Sequence, residues 1–237
     1  MNSYIDCHSH ILYGIDDGSK DIDMSVDIIK KMVNLGFEEI VLTPHYISYY
    51  HANNEIKKEI LNNLENRLHE ENINIKLYLA NEVRITSNIL DLIKNNEISL
   101  LGNYLFLELP FDSKIYNLDK IIYELQSNDI NVILVHPERY AYLTKDDYQK
   151  LLDSDVIFQS NYESIIGKYG FGAKKRVKFL LENNMVTLLA TDVHRPSTRM
   201  FSEWEKIERK IKKFVGNQEY KNLTYNNMKN ILNNIRG

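Results

Sequence analysis

The chain has a single cysteine, Cys7, among 237 residues, which excludes an internal disulfide framework. A cysteine-phosphatase loop would place an arginine six residues further on, to wrap a phosphate, and that position holds Tyr13. Cys7 therefore reads as a small core residue, in keeping with how often free cysteine is buried. Basic excess is also lacking. The formal charge is -4, without the basic stripe that nucleic acid demands, so no nucleic-acid partner is expected. No apolar run approaches the roughly 20 residues of a membrane span, and no basic segment leads into an apolar one at the N-terminus. The expectation is a cytoplasmic protein without membrane insertion. Internal repeats and low-complexity tracts are absent, and the length suits one core, so residues 1–237 read as a single domain.

Proline is scarce as well, and its four positions are informative. Pro44, Pro110, Pro137 and Pro196 each lie at or just past the end of a strand candidate, where a residue that cannot donate to a ladder belongs. Each also lies within two residues of a metal-capable side chain: His45, Glu108, His136 or His194.

What is present is an alternation of short apolar runs with longer amphipathic ones. The strand candidates are "YIDCH", "EEIVLTP", "IKLYLANEV", "YLFLELP", "NVILVHP", "VIFQSN" and "TLLATDVH". Helices are expected over roughly 22–35, 53–71, 86–96, 117–128, 145–153 and 171–184, and again beyond 200. This alternation implies a parallel sheet covered by helices, either closed as a barrel or open.

The strand ends carry polar cargo. His8 and His10 follow the first strand, Asp16 and Asp17 sit in the loop "GIDDG", and His45 ends the second. Glu82, Glu108 and His136 come from the next three, and Asp192 and His194 from the last. Five of the seven histidines fall in this set, at corresponding ends of separate strands. Imidazole and carboxylate without thiolate suit Mn, Zn or Fe. Nine such ligands exceed what one ion uses, so two or three divalent ions are expected. Three of them against the four carboxylates Asp17, Glu82, Glu108 and Asp192 would leave about +2 on the cluster, a match for a phosphate monoester.

The motifs "DCHSHILYGIDDG", "LTPHY", "ANEVRI", "LELPF", "VHPERY" and "ATDVH" resemble those of the PHP (polymerase and histidinol phosphatase) superfamily. More narrowly, the chain resembles the manganese-dependent protein tyrosine phosphatases encoded in capsule and exopolysaccharide operons of Gram-positive bacteria. That resemblance implies a distorted (β/α)7 TIM-like barrel of α/β class with a three-metal site. It places His8, His10, Asp17, His45, Glu82, Glu108, His136, Asp192 and His194 as metal ligands, with Asp17 preferred over Asp16. It places Arg139 and Arg199 as phosphate-binding arginines, with Arg195 as second choice. Mn2+ is the implied cofactor, with Fe, Zn or Mg as alternatives. The implied substrate is phosphotyrosine on a protein, namely the tail of a bacterial tyrosine kinase that controls capsule or exopolysaccharide synthesis, attacked by a metal-bound hydroxide. Thr191, where serine is common, and Asn81 are modest departures. Two other readings are a histidinol phosphate phosphatase and a catalytically idle metal-binding regulatory module.

Overall fold

A computed structural model describes residues 3–235. Nine strands alternate with eight helices along these residues, and every strand pair is parallel. The strands are β1 (Tyr4–Asp6), β2 (Phe37–Leu42), β3 (His45–Tyr46), β4 (Lys76–Leu79), β5 (Glu82–Arg84), β6 (Tyr104–Glu108), β7 (Asn131–Val135), β8 (Ile157–Asn161) and β9 (Leu188–Ala190). The helices are α1 (Ile22–Leu35), α2 (Asn54–Glu70), α3 (Ile89–Lys94), α4 (Leu118–Gln126), α5 (Lys145–Asp153), α6 (Gly170–Glu182), α7 (Arg199–Lys221) and α8 (Asn227–Asn234). Among the described residues no helix is long and apolar enough to cross a membrane.

The helices form where sequence signals placed them. In α1, the Asp21 side chain accepts from the Met24 amide at 2.8 Å, satisfying one free N–H of the first turn. Gly36 stops the helix at φ 100°, a left-handed conformation that glycine adopts without a Cβ penalty. Between them Val26, Ile28, Ile29 and Met32 form the buried stripe. A reciprocal Thr144–Asp147 capping box starts α5 in the same manner. The third helix is shorter than expected, six residues at Ile89–Lys94.

One strand candidate breaks in the middle, and another is followed at once by a short strand of its own. "EEIVLTP" supplies β2 and the chain then re-enters as β3, while "IKLYLANEV" splits into β4 and β5. As a result β1-β2-β4 form one sheet and β3-β5-β6-β7-β8-β9 another. The breaks lie side by side at Pro44 and Asn81. Proline offers no N–H to the ladder, and its carbonyl accepts from the Asn81 side-chain amide at 2.8 Å, which ties the two breaks together. At the other edges, Ser9 and Val193 form a parallel bridge, and the Asp192 amide donates to the His8 carbonyl at 2.9 Å. Buried Asp6 reinforces that junction by accepting from the Thr191 amide (2.8 Å) and hydroxyl (2.6 Å).

Alternate residues of the strands belong to two apolar clusters. Leu42, Leu107, Leu134 and Leu189 pack with α1, α2, α4, α5, α6 and α7. Val41, Phe106, Ile133 and Ala190 face the other side, with Met228, Ile231 and Leu232 of α8. Asn227 of α8 donates to the Thr187 carbonyl just before β9, which sets this helix at the N-terminal ends of the strands. The opposite, C-terminal ends are left for polar groups.

Candidate metal centre

All nine expected ligands meet at the C-terminal strand ends. Their atoms fall into three overlapping groups, each with ligand atoms within 4.8 Å of one another: His10, Asp17, His45 and His194; His8, His10 and Glu82; and His45, Glu82 and Glu108. The remaining two adjoin them. His136 Nε2 lies 2.8 Å from Glu82 Oε1, and Asp192 Oδ1 lies 3.4 Å from His10 Nε2.

The local backbone is bent to aim these groups. His136 and Asp192 end their strands in the left-handed region, at φ 36° and 50°. Such conformations in non-glycine residues collect at functional sites, where surrounding structure holds them. Gly18 is required for the loop between β1 and α1: a Cβ there would overlap the His10 carbonyl.

Asp16 and Asp17 take different places. Asp16 is turned inward, its Oδ2 2.7 Å from His10 Nδ1 and accepting from the His45 amide at 2.9 Å, while Oδ1 accepts from the Gly18 amide. It orients His10. Asp17 is half-exposed, 3.6 Å from His45 Nε2 and 3.5 Å from His194 Nε2.

Glu82 tests whether these residues fit a metal. Its Oε2 is encircled by His45 Nδ1 at 3.0 Å, His10 Nε2 at 3.2 Å and His8 Nε2 at 3.3 Å. Yet neither Glu82 Oε2 nor His45 Nδ1 has a partner in hydrogen-bonding geometry. Buried polar atoms left in this way are rare and costly, and converging lone pairs are what a cation would bridge. Burial would push the Glu82 carboxyl up, but the imidazoles of His45 and His8 hold it well below the usual carboxylate range. Glu108, buried beside the Glu82 charge, is pushed up to about 7 despite the Arg84 guanidinium 2.6 Å away. Burial, aided by the nearby charge of Arg139, lowers His136 to about 4, which keeps its imidazole neutral. His8, His10 and His45 go the other way, raised despite burial by the carboxylates around them, so a bound cation would take the place of their protons, and the donor set fits hard or borderline divalent ions.

A cavity of about 600 Å³ opens over the site, lined among others by Arg84, Phe111, Arg139, Tyr169 and Arg195. The Arg139 guanidinium lies 4.4 Å from the ring centres of both Phe111 and Tyr169, which fix its plane. Its Nη1 lies 3.3 Å from Asp192 Oδ2. Arg195 also lines the cavity, donating to the carbonyls of Gly18 and His194. Arg199 does not. It is the first residue of α7, exposed, and paired with Glu203 at 2.6 Å. The cavity wall includes its neighbours Ser197 and Thr198.

Cys7 is fully buried with its Sγ 3.9 Å from the Leu189 carbonyl, and burial raises its pKa well above the thiol range, so it is no nucleophile. Sequence reasoning weighed Asp16 only as a rival of Asp17 for the loop ligand, not as the partner of His10, and did not single out Phe111, Tyr169, Gln159 or Asn161. For the last two a signal existed: two amides at alternate positions of one strand, on one face.

Residues 4–233 match the family described as Capsular polysaccharide synthesis, CpsB/CapC. CapC of Staphylococcus aureus is 31% identical over 202 residues, covering 83% of this chain and 79% of that protein. The tyrosine-protein phosphatase YwqE of Bacillus subtilis is 29% identical over 208 residues, covering 86% and 82%. One solved structure, from work on YwqE of B. subtilis and CpsB of Streptococcus pneumoniae as metal-dependent tyrosine phosphatases, superposes with a TM-score of 0.88. It is 26% identical and covers 97% of this chain and 94% of its own.

Proposed function

The chain belongs to the CpsB/CapC family of capsular polysaccharide synthesis, and from that premise we propose that it is a metal-dependent protein tyrosine phosphatase. The observation that carries the reading is the meeting of three overlapping ligand groups, two of which share Glu82, whose inner oxygen has three imidazole nitrogens around it and no hydrogen bond. His8, His10, Asp17, His45, Glu82, Glu108, His136, Asp192 and His194 are the proposed ligands of two or three ions. Mn2+ is the proposed metal on the family resemblance, and the imidazole and carboxylate donors suit it as they suit Fe or Zn. When bound, such ions activate water near neutral pH and neutralise charge on the phosphoryl oxygens.

The chain's own residues do the rest. Arg139, held flat between two rings, offers a two-pronged donor to phosphoryl oxygens. Arg199 is the proposed second arginine. Its exposed pair with Glu203 is screened by solvent and weak, so a phosphate dianion in the cavity displaces it readily. Arg195 adds fixed positive charge on the wall. Phe111 and Tyr50 provide aromatic surface beside the site for the substrate ring. Among the described residues, every carboxyl and imidazole that lines the cavity belongs to the ligand set, which favours a phenolate (pKa about 10) over a serine alkoxide as leaving group.

The client is proposed to be the phosphotyrosine tail of a bacterial tyrosine kinase in capsule or exopolysaccharide assembly, met in the cytoplasm. The seven expected strands, one of them split and one followed by a short extra strand, read as one distorted (β/α)7 barrel in a single domain over 1–237. The test is hydrolysis of phosphotyrosyl peptide, phosphoseryl peptide and histidinol phosphate, with and without chelator. Phosphotyrosine is expected to be cleaved fastest, with chelator abolishing turnover and Mn2+ restoring it. Faster release from histidinol phosphate would overturn the protein substrate, and activity undiminished by prolonged chelation would overturn the metal.

A further inference from the structure

The end of β8 supplies no expected ligand, yet its Gln159 and Asn161 are fully buried on the site's side of the sheet. They connect two ligands in one directional chain. His8 Nδ1 lies 2.8 Å from Gln159 Oε1, Gln159 Nε2 donates to Asn161 Oδ1 at 2.9 Å, and Asn161 Nδ2 donates to Asp192 Oδ2 at 2.7 Å. Chemistry dictates the direction from one end. An ionised carboxylate only accepts, so Asn161 must present its NH2 to Asp192 and its carbonyl to Gln159. Gln159 must then present its own NH2 to Asn161, which leaves its carbonyl for His8. A carbonyl requires a proton on His8 Nδ1 and so leaves the lone pair on Nε2, the nitrogen that faces Glu82 and His10.

The same chain orients the carboxylate. Asp192 Oδ2 receives Asn161 Nδ2, the Tyr169 hydroxyl at 3.0 Å and Arg139 Nη1 at 3.3 Å, which uses its acceptor capacity. Oδ1 remains, and it points to the nitrogens of His10 and His194.

We infer that Gln159 and Asn161 are positioning residues of the metal centre: they lock His8 in its Nδ1-protonated tautomer and commit Asp192 to bind through Oδ1 alone. This rests on the metal-site reading above but not on the substrate, so the test uses Zn2+ alone and no phosphatase assay. The first measurement is long-range 1H–15N NMR of the Zn2+-loaded chain labelled at histidine. The His8 ring is expected to carry a hydrogen-bonded Nδ1 proton with Zn2+ on Nε2. Coordination through Nδ1 would overturn the proposal whatever any variant does.

The second measurement is Zn2+ affinity by competition with a chromophoric chelator. Gln159→Leu and Asn161→Leu should each weaken binding about 10- to 100-fold, the usual loss when a ligand's hydrogen-bond partner is removed. Gln159→Glu still offers Nδ1–H an acceptor and should lose less than Gln159→Leu while keeping the Nδ1 proton signal. Wild-type affinity in Gln159→Leu, or an equal loss in Gln159→Glu, would reduce the pair to core filling. Should the leucine variants fail to fold, the wild-type tautomer and Gln159→Glu still decide.

Discussion

The strands carry opposite chemistries at their two ends. At the N-terminal ends, Met228, Ile231 and Leu232 of α8 close the sheet interior with apolar groups. At the C-terminal ends, buried imidazoles and carboxylates crowd the same interior, several with atoms that have no partner. Apolar packing has no required direction, so the lower end stabilises by filling space. The upper end depends on the orientation of each donor and acceptor, and burying so many of them is unfavourable until a cation satisfies them. Stability and chemistry are thus placed at opposite ends of one scaffold, as in α/β barrels generally.

Substitutions should separate the two ends. The largest expected effect is at the cavity: Arg139→Ala should cut kcat/KM for phosphotyrosyl peptide on the order of a hundredfold or more while metal content stays near wild type. Arg139→Lys should recover only part, because it keeps the charge and loses the fork. Arg199→Ala should fall in the same direction, and Glu203→Gln should not lower activity, since it only releases Arg199. If Arg199→Ala is silent while Arg195→Ala is impaired, the second arginine is Arg195.

Leu232→Ala, at the plugged end, should lower stability by about 2–5 kcal/mol in denaturant melts and leave metal stoichiometry unchanged. Metal loss in step with unfolding would show that the ends are coupled after all.

Lys57 sharpens the comparison, because it is a charged group buried away from the ligands. Its Nζ donates to Asn81 Oδ1 at 2.5 Å, and burial lowers its pKa to about 7. In the unfolded chain the amine binds a proton up to about pH 10. Between these values the unfolded state holds more protons, so this group makes stability rise with pH from about 7 to about 10. Lys57→Met should therefore flatten that rise, with a gain of a few kcal/mol at pH 6 that shrinks steadily and is gone only near pH 10. Parallel stability curves for both proteins across that range would refute the buried amine's role. The smallest effect is expected from Cys7→Ser, which should retain most activity and cost about 1 kcal/mol for the hydroxyl in an apolar cluster. Complete loss in a folded, metal-loaded variant would bring back a thiol mechanism.

The sequence by itself determined most of the elements, the parallel α/β class and the kind of chemistry at the strand ends. Those signals are local: the spacing that buries Ile28, Ile29 and Met32 in α1, the prolines at strand exits, and imidazoles and carboxylates at corresponding positions. Only the tertiary structure decided which neighbour does what. Asp16 turns inward to His10 while Asp17 faces the cavity, although both share one loop. The strands around Pro44 and Asn81 break because those two residues meet across 37 positions. Gln159 acquires a role because His8 stands opposite it, 151 residues away in the chain. A hydrogen bond between distant residues leaves no periodicity to read, because its geometry exists only once the strands are side by side.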